Sequence, residues 1–138
     1  MKKLFTIVAA LLLSIALSHS EPFETNPANG AGVKVMPKNV RITFGEAIEG
    51  AFSSFKVYVY VGEVTKAKLQ AFAKSKIAVK NDAAARADAG ANLSGTTKTV
   101  DIALKPALKP GVYVVMWRVL GVDTHTVEAY TYFRYLSR

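Results

Sequence analysis

Residues 111–119 read GVYVVMWRV. Apart from Arg118, both alternating sides of this run are apolar, and a strand is written that way when each of its faces is covered. The run therefore belongs in the middle of a sheet inside a sandwich. Pro106 and Pro110-Gly111 punctuate the chain before it, as turn residues do. Other strand patterns lie on either side. SSFKVYVYV, 53–61, places Phe55, Val57, Val59 and Val61 on one face; Lys56, Tyr58 and Tyr60 share a face expected to be partly wet. VEAYTYFRY, 127–135, and TVDIAL, 99–104, alternate in the same manner. VKVMPKNVRITF, 33–44, holds two short β-prone pieces split by the turn Pro37-Lys38-Asn39, with Val40, Ile42 and Phe44 on one dry face.

Short strands separated by Gly/Pro turns predict an all-β, antiparallel, two-sheet Greek-key sandwich of the immunoglobulin-like or cupredoxin-like kind. A Lys/Ala-rich insertion around 63–95 departs from the pattern. Thr65 is placed to cap a short helix over 65–76, whose Leu69, Phe72, Ala73 and Ile77 fall at three- and four-residue spacings on one side. Residues 81–95 read as an excursion laid over the sandwich, and KIAVK, 76–80, is an alternative edge strand. The chain shows no internal repeat.

The N-terminus has a different composition. Met1-Lys2-Lys3 precedes an apolar run from Leu4 to Leu17, and no further charge occurs before Glu21. Fourteen residues span roughly 21 Å as a helix, short of a ~30 Å hydrocarbon core. This is the form of a cleavable export signal, 1–18, with Ala16-Leu17-Ser18 as the cleavage pattern and cuts after Ala16 or Ser20 as alternatives. The expected product is one exported domain, 19–138, with no transmembrane segment in its mature form and monomeric. The formal charge of +8 falls to +6 when Lys2 and Lys3 leave. No Arg-rich, aromatic-interleaved stripe accompanies that charge, so nucleic acid is not the expected partner. The chain has no cysteine, which leaves no disulfide, thiolate ligand or thiol nucleophile.

Only two histidines occur, His19 and His125. Cleavage after Ser18 makes His19 the first residue, where its α-amine and ring Nδ1 can chelate one ion. Asp123 and His125 are two apart; in a locally extended segment they point the same way. Three nitrogens and one carboxylate oxygen form a donor set that suits Cu(II), the strongest binder among the divalent first-row ions. Such a site needs a deprotonated amine and neutral imidazoles, so it weakens on acidification.

TNPANGAGVKVMPKNVRITFGEAIE together with LKPGVYVVMWRVLGVDTHTVEAYTYF resembles the CopC family of periplasmic copper-binding proteins. The resemblance spans about 19–61 and 96–135, with Asn26-Pro27, Phe44 to Glu46, Pro110-Gly111, Trp117-Arg118 and Asp123-x-His125 in the expected order. It implies a small exported β-sandwich binding one Cu(II) through His19, Asp123 and His125. It places Glu46 close to the copper, and Arg118 is expected to pair with Glu46 or Asp123 and support the site. The implied role is copper sequestration or delivery, with an inner-membrane copper transporter or another copper protein as partner. Thr124 stands where the family usually has glycine: either it strains a positive-φ turn, or it sits in an ordinary conformation and donates a hydroxyl hydrogen bond. The methionine-rich Cu(I) segment of some members is missing; Met36 and Met116 read as core or strand surface.

Two other classes remain open at this level. A metal-free sandwich used for protein contact would keep its partner after loss of both histidines. A histidine-brace copper oxygenase would consume hydrogen peroxide and oxidise sugars, but Asp123 disfavours the reduction such chemistry needs. Ser-His-Asp, phosphate-loop and dinucleotide signatures are absent, and the chain is read as a non-enzyme.

Overall fold

Val40, Ile42 and Phe44 alternate with Arg41 and Thr43, and the computed structural model, which describes residues 22–137, turns all three apolar side chains into the interior. In chain order the elements are β1 (Pro22–Asn26), β2 (Gly32–Val33), β3 (Asn39–Glu49), β4 (Ser54–Tyr60), α1 (Lys66–Ile77), β5 (Asp88–Ala91), β6 (Thr96–Leu104), β7 (Gly111–Leu120) and β8 (Thr126–Tyr135). Two four-stranded sheets result, ordered β1-β3-β6-β5 and β2-β8-β7-β4. Between them pack Phe44, Phe55, Trp117, Tyr113, Phe133 and the β-branched residues of both inner faces. Phe44 meets Trp117 edge-on at 6.2 Å, an arrangement that suits the ring quadrupoles. β7 is central, paired with β4 and β8, and only its Arg118 is exposed.

Three expectations are corrected. The ladders are antiparallel except β2, which runs parallel to β8; it arrives through the loop that follows β1 and meets the last strand at its end. Of the stretch 33–36 only Val33 is in a strand. The excursion 81–95 contains β5, an edge strand on β6, so the insertion completes a sheet as well as covering one.

The helix forms where Thr65 caps it, accepting a hydrogen bond from the Lys68 N–H at 3.2 Å. Lys74 and Lys76 lie in its last turn, where positive charge complements the helix dipole. Leu69 and Ala73 are buried and Phe72 and Ile77 partly so, against Tyr58, Val114 and Met116 on the outer face of the second sheet. That second core overturns the partly wet reading of β4: Lys56 and Tyr58 are buried because α1 lies over them. Val59 and Val61 are half and almost wholly exposed instead: Val59 sits near the end of the edge strand, opposite Tyr113, and Val61 follows the last residue of β4.

KIAVK is not an edge strand. α1 continues to Ile77, and the carbonyls that follow are captured by the buried Lys56 ammonium, which donates to Lys76 O, Val79 O and the Asp82 carboxylate. Tyr58 also donates to Asp82, and Arg86 bridges Asp82 and Asp88. Asp88 in turn accepts from the backbone N–H groups of Val57 and Gly90. Buried charges persist when paired, and every charge of this network is paired, with Arg86 Nε held to Asp88 by charge alone and without a hydrogen bond, while the network clamps residues 76–90 to β4.

Candidate metal centre

β7 and β8 form one hairpin, and residues 121–125 between them carry the Asp-x-His pair. The Thr124 N–H donates to Gly121 O and the Gly121 N–H to His125 O, both at 2.9 Å, closing a tight turn. Asp123 and His125 are therefore not in an extended segment, and the reason they converge differs from the sequence expectation. Asp123 Oδ1 accepts from the His125 N–H at 3.1 Å, the local carboxylate-to-backbone bond that Asp favours in turns. Thr124 takes φ +73°, folding the chain so that His125 Nδ1 lies 3.4 Å from Asp123 Oδ2. The first of the two alternatives for Thr124 is thus the one observed. A β-branched residue is held in left-handed backbone, where glycine is free of strain. The His125 side chain is 71% exposed and that of Asp123 25%, so both donors meet solvent on one side.

The sandwich fixes this turn from below. Gly121 bridges Ile48, the Val122 N–H donates to Ala47 O at 3.2 Å, and the Leu120 N–H donates to Ser53 Oγ. Ala47 belongs to a bulge in β3. Thr43 pairs with Thr99 and Ile48 with Thr97, so five steps on one strand oppose two on the other. Glu46 sits exposed in that bulge, on the segment tied to the turn. Arg118 makes its ion pair with Glu128, directly opposite on β8, at 3.5 Å on the exposed outer face. That pairing replaces the one expected with Glu46 or Asp123.

Asp123 and His125 supply an oxygen and a nitrogen at a rigidly held surface turn. Among the described residues no third His, Cys, Asp or Glu joins them to make a metal-holding group. His19 and residues 1–18, expected to form an export signal, lie outside the described residues. The donors present fit a borderline ion that accepts imidazole and carboxylate. Thioether ligation does not enter. Met116 is buried under α1, and Met36 packs against the core at the end of the sandwich remote from the turn.

Sequence reasoning missed the Lys56–Asp82–Arg86–Asp88 network. Its only trace is a pair of aspartates and an arginine in the Ala-rich NDAAARADAG, with no apolar period to show which side is buried.

The CopC domain model matches residues 23–135. Among solved structures, CopC from Methylosinus trichosporium OB3b superposes with a TM-score of 0.63 at 25% identity, over 87% of this chain and 96% of that one. PcoC, a methionine-rich copper resistance protein from Escherichia coli, superposes at 0.61 and 19% identity, over 86% and 100%, a likeness in fold. No curated protein matches in sequence. Among the described residues, no helix is long and apolar enough to cross a membrane.

Proposed function

The chain belongs to the CopC family, whose role is copper binding without catalysis, and from that premise we propose that it is a periplasmic cupric-ion carrier with one site per chain. The ligands are the α-amine and ring of His19, the carboxylate of Asp123 and the imidazole of His125. The observation that carries this reading is the 121–125 turn, which brings Asp123 and His125 within 3.4 Å of each other at an open surface. The direction of β1 supports the rest. Pro22 pairs with Phe44 and Asn26 with Arg41, so the chain enters from the 45–48 end of β3, the end bridged to Gly121. Two residues separate His19 from Pro22, and the three steps between them reach up to about 10 Å.

In the bound state this chain's residues hold and orient the ion. The His125 N–H fixes the Asp123 carboxylate through Oδ1. Glu46, exposed on the bulge tied to the turn, adds negative charge on that side. The acceptor is a membrane copper transporter or another copper protein, and the role is sequestration or delivery. Protons compete for the amine and both imidazoles, so affinity falls as the medium is acidified.

The test is Cu(II) titration against a competing chelator, on protein whose first residue is fixed by intact mass. His125→Ala, and a form with one residue added before His19, are each expected to bind at least 100-fold more weakly. If the extended form binds as tightly as the mature one, the amine is not a ligand and the proposed site is wrong.

A further inference from the structure

The two ends of the sandwich differ in charge. One end carries the 121–125 turn together with Glu46, Glu49, Asp123 and Glu128, against which stand Lys98 and the Arg118 that pairs with Glu128. The opposite end is built from the segments KVMPK, 34–38, and KPALKP, 105–110, each an apolar centre flanked by lysines, with the end of β4 and residues 134–137 beside them. The two segments are joined by the Leu104 N–H to Lys38 O bond, and the Leu136 N–H to Val33 O bond holds the C-terminal end next to the first of them.

At this second end Lys34, Lys38 and Lys109 are exposed, while Lys105 is tied to Ala83 O and Arg134 lies over the Tyr132 ring. Among the described residues, the acids nearest to it are already engaged. Glu63 pairs with Lys68, Asp101 with Arg41, and Asp88 is buried against Arg86. Apolar side chains stand out between the lysines: Val61 is 92% exposed and Val35 70%, with Val59 and Leu136 also exposed. Exposed apolar residues alone do not single out this end, since Phe52 and Val122 project near the turn, but those two sit among carboxylates. Val79 stands beside exposed Lys80 after α1, but the lysine-bearing end gathers four exposed apolar side chains with three lysines that have no ion-pair partner among the described residues. That combination is what a surface of anionic headgroups over hydrocarbon accepts.

We infer that the protein docks on an anionic lipid bilayer through this end. Val35 and Val61 enter the headgroup boundary, and Lys34, Lys38 and Lys109 lie among the phosphates. The unpaired lysines and apolar tips gathered at one end orient the approach, since the acids at the turn end stand among Lys98 and Arg118 and offer that surface no comparable attraction. β7 and β8, ten residues each, hold the ends about 30 Å apart, so the Asp123–His125 turn faces away from the membrane and stays open to solution. Docking confines the protein to the membrane surface without closing the turn, and it does not depend on what the turn binds.

Co-sedimentation of the processed protein with vesicles tests this, comparing phosphatidylcholine alone with equal parts phosphatidylcholine and phosphatidylglycerol. Binding is expected only to the anionic vesicles and is expected to fall with added salt. A lysine near such a surface contributes about fivefold to partitioning, so Lys34→Glu/Lys38→Glu/Lys109→Glu lowers it by at least about 100-fold. Val35→Ser/Val61→Ser lowers it about tenfold. Lys66→Glu/Lys68→Glu/Lys74→Glu, the same change of net charge placed on α1, leaves most of the binding, and His125→Ala leaves all of it. Thermal melts confirm that each variant is folded. Equal loss in the two lysine triples would show attraction by net charge without an oriented face and would overturn the inference. So would a wild-type protein that stays in the supernatant at low salt.

Discussion

Thr124→Gly isolates the strain in the turn that carries Asp123 and His125. Thr124 has φ +73° and an exposed side chain, so the substitution changes backbone energy and removes no buried contact. Left-handed backbone costs a non-glycine residue about 1–2 kcal/mol. Glycine escapes that cost but gives up about 0.5–1 kcal/mol through its freer unfolded chain. The balance favours the variant by about 0.5–1 kcal/mol. In a domain of this size that raises Tm by about 2–4 °C. Scanning calorimetry of the copper-free protein reads it, with Thr124→Asn expected to gain part of the shift and Thr124→Ala to gain none. The Asp123 Oδ1 to His125 N–H bond does not involve the Thr124 side chain, so Cu(II) affinity is expected to stay within tenfold of wild type. The strain argument is refuted if Thr124→Gly melts no higher than Thr124→Ala.

The buried network gives two more tests. Burial alone would raise the Asp82 carboxyl, but hydrogen bonds from Lys56 and Tyr58 outweigh it and hold its pKa at about 2. A folded value below the unfolded ~3.9 means that this contribution is complete above about pH 5 and is lost as pH falls through ~4 towards 2. Urea midpoints should therefore show no decline from this group between pH 7 and about pH 5, and a progressive fall below it. Asp82→Ala strands the Lys56 ammonium in the interior and is expected to cost about 3–5 kcal/mol at pH 7 by the same measurement. Leu69→Ala opens a cavity under α1 and is expected to cost about 2–5 kcal/mol, read as a lower urea midpoint.

The strands and the capped helix were legible because each pattern is local. Val40-x-Ile42-x-Phe44 has one dry face wherever it is placed, and Thr65 followed by Leu69, Phe72 and Ala73 specifies both the start and the buried side of α1. The faces of β4 were misread for a related reason. Nothing within 53–61 says that a helix beginning thirteen residues after Ser53 returns to cover Tyr58, or that the strand ends at Tyr60 and leaves Val59 half exposed and Val61 outside it. β5 was hidden because a four-residue edge strand of Asp, Ala and Gly carries no apolar alternation. At the site, Asp123 and His125 were chosen correctly as neighbours, but on an extended-chain argument that the turn replaces.

The sequence by itself determined the residue types available for chemistry: two histidines, no cysteine, and an Asp-Thr-His segment after a strand apolar on both faces. It also determined the alternation that makes a sandwich, since period-two burial needs only neighbouring residues. The tertiary structure alone decided that β3 bulges to meet Gly121, that Arg118 pairs with Glu128, and that Lys56 clamps the insertion. It also gathered Lys34, Lys38 and Lys109 at the end of the molecule opposite the 121–125 turn. Those outcomes depend on pairing between segments distant in the chain, and local side-chain preferences carry no record of which distant partner will be met.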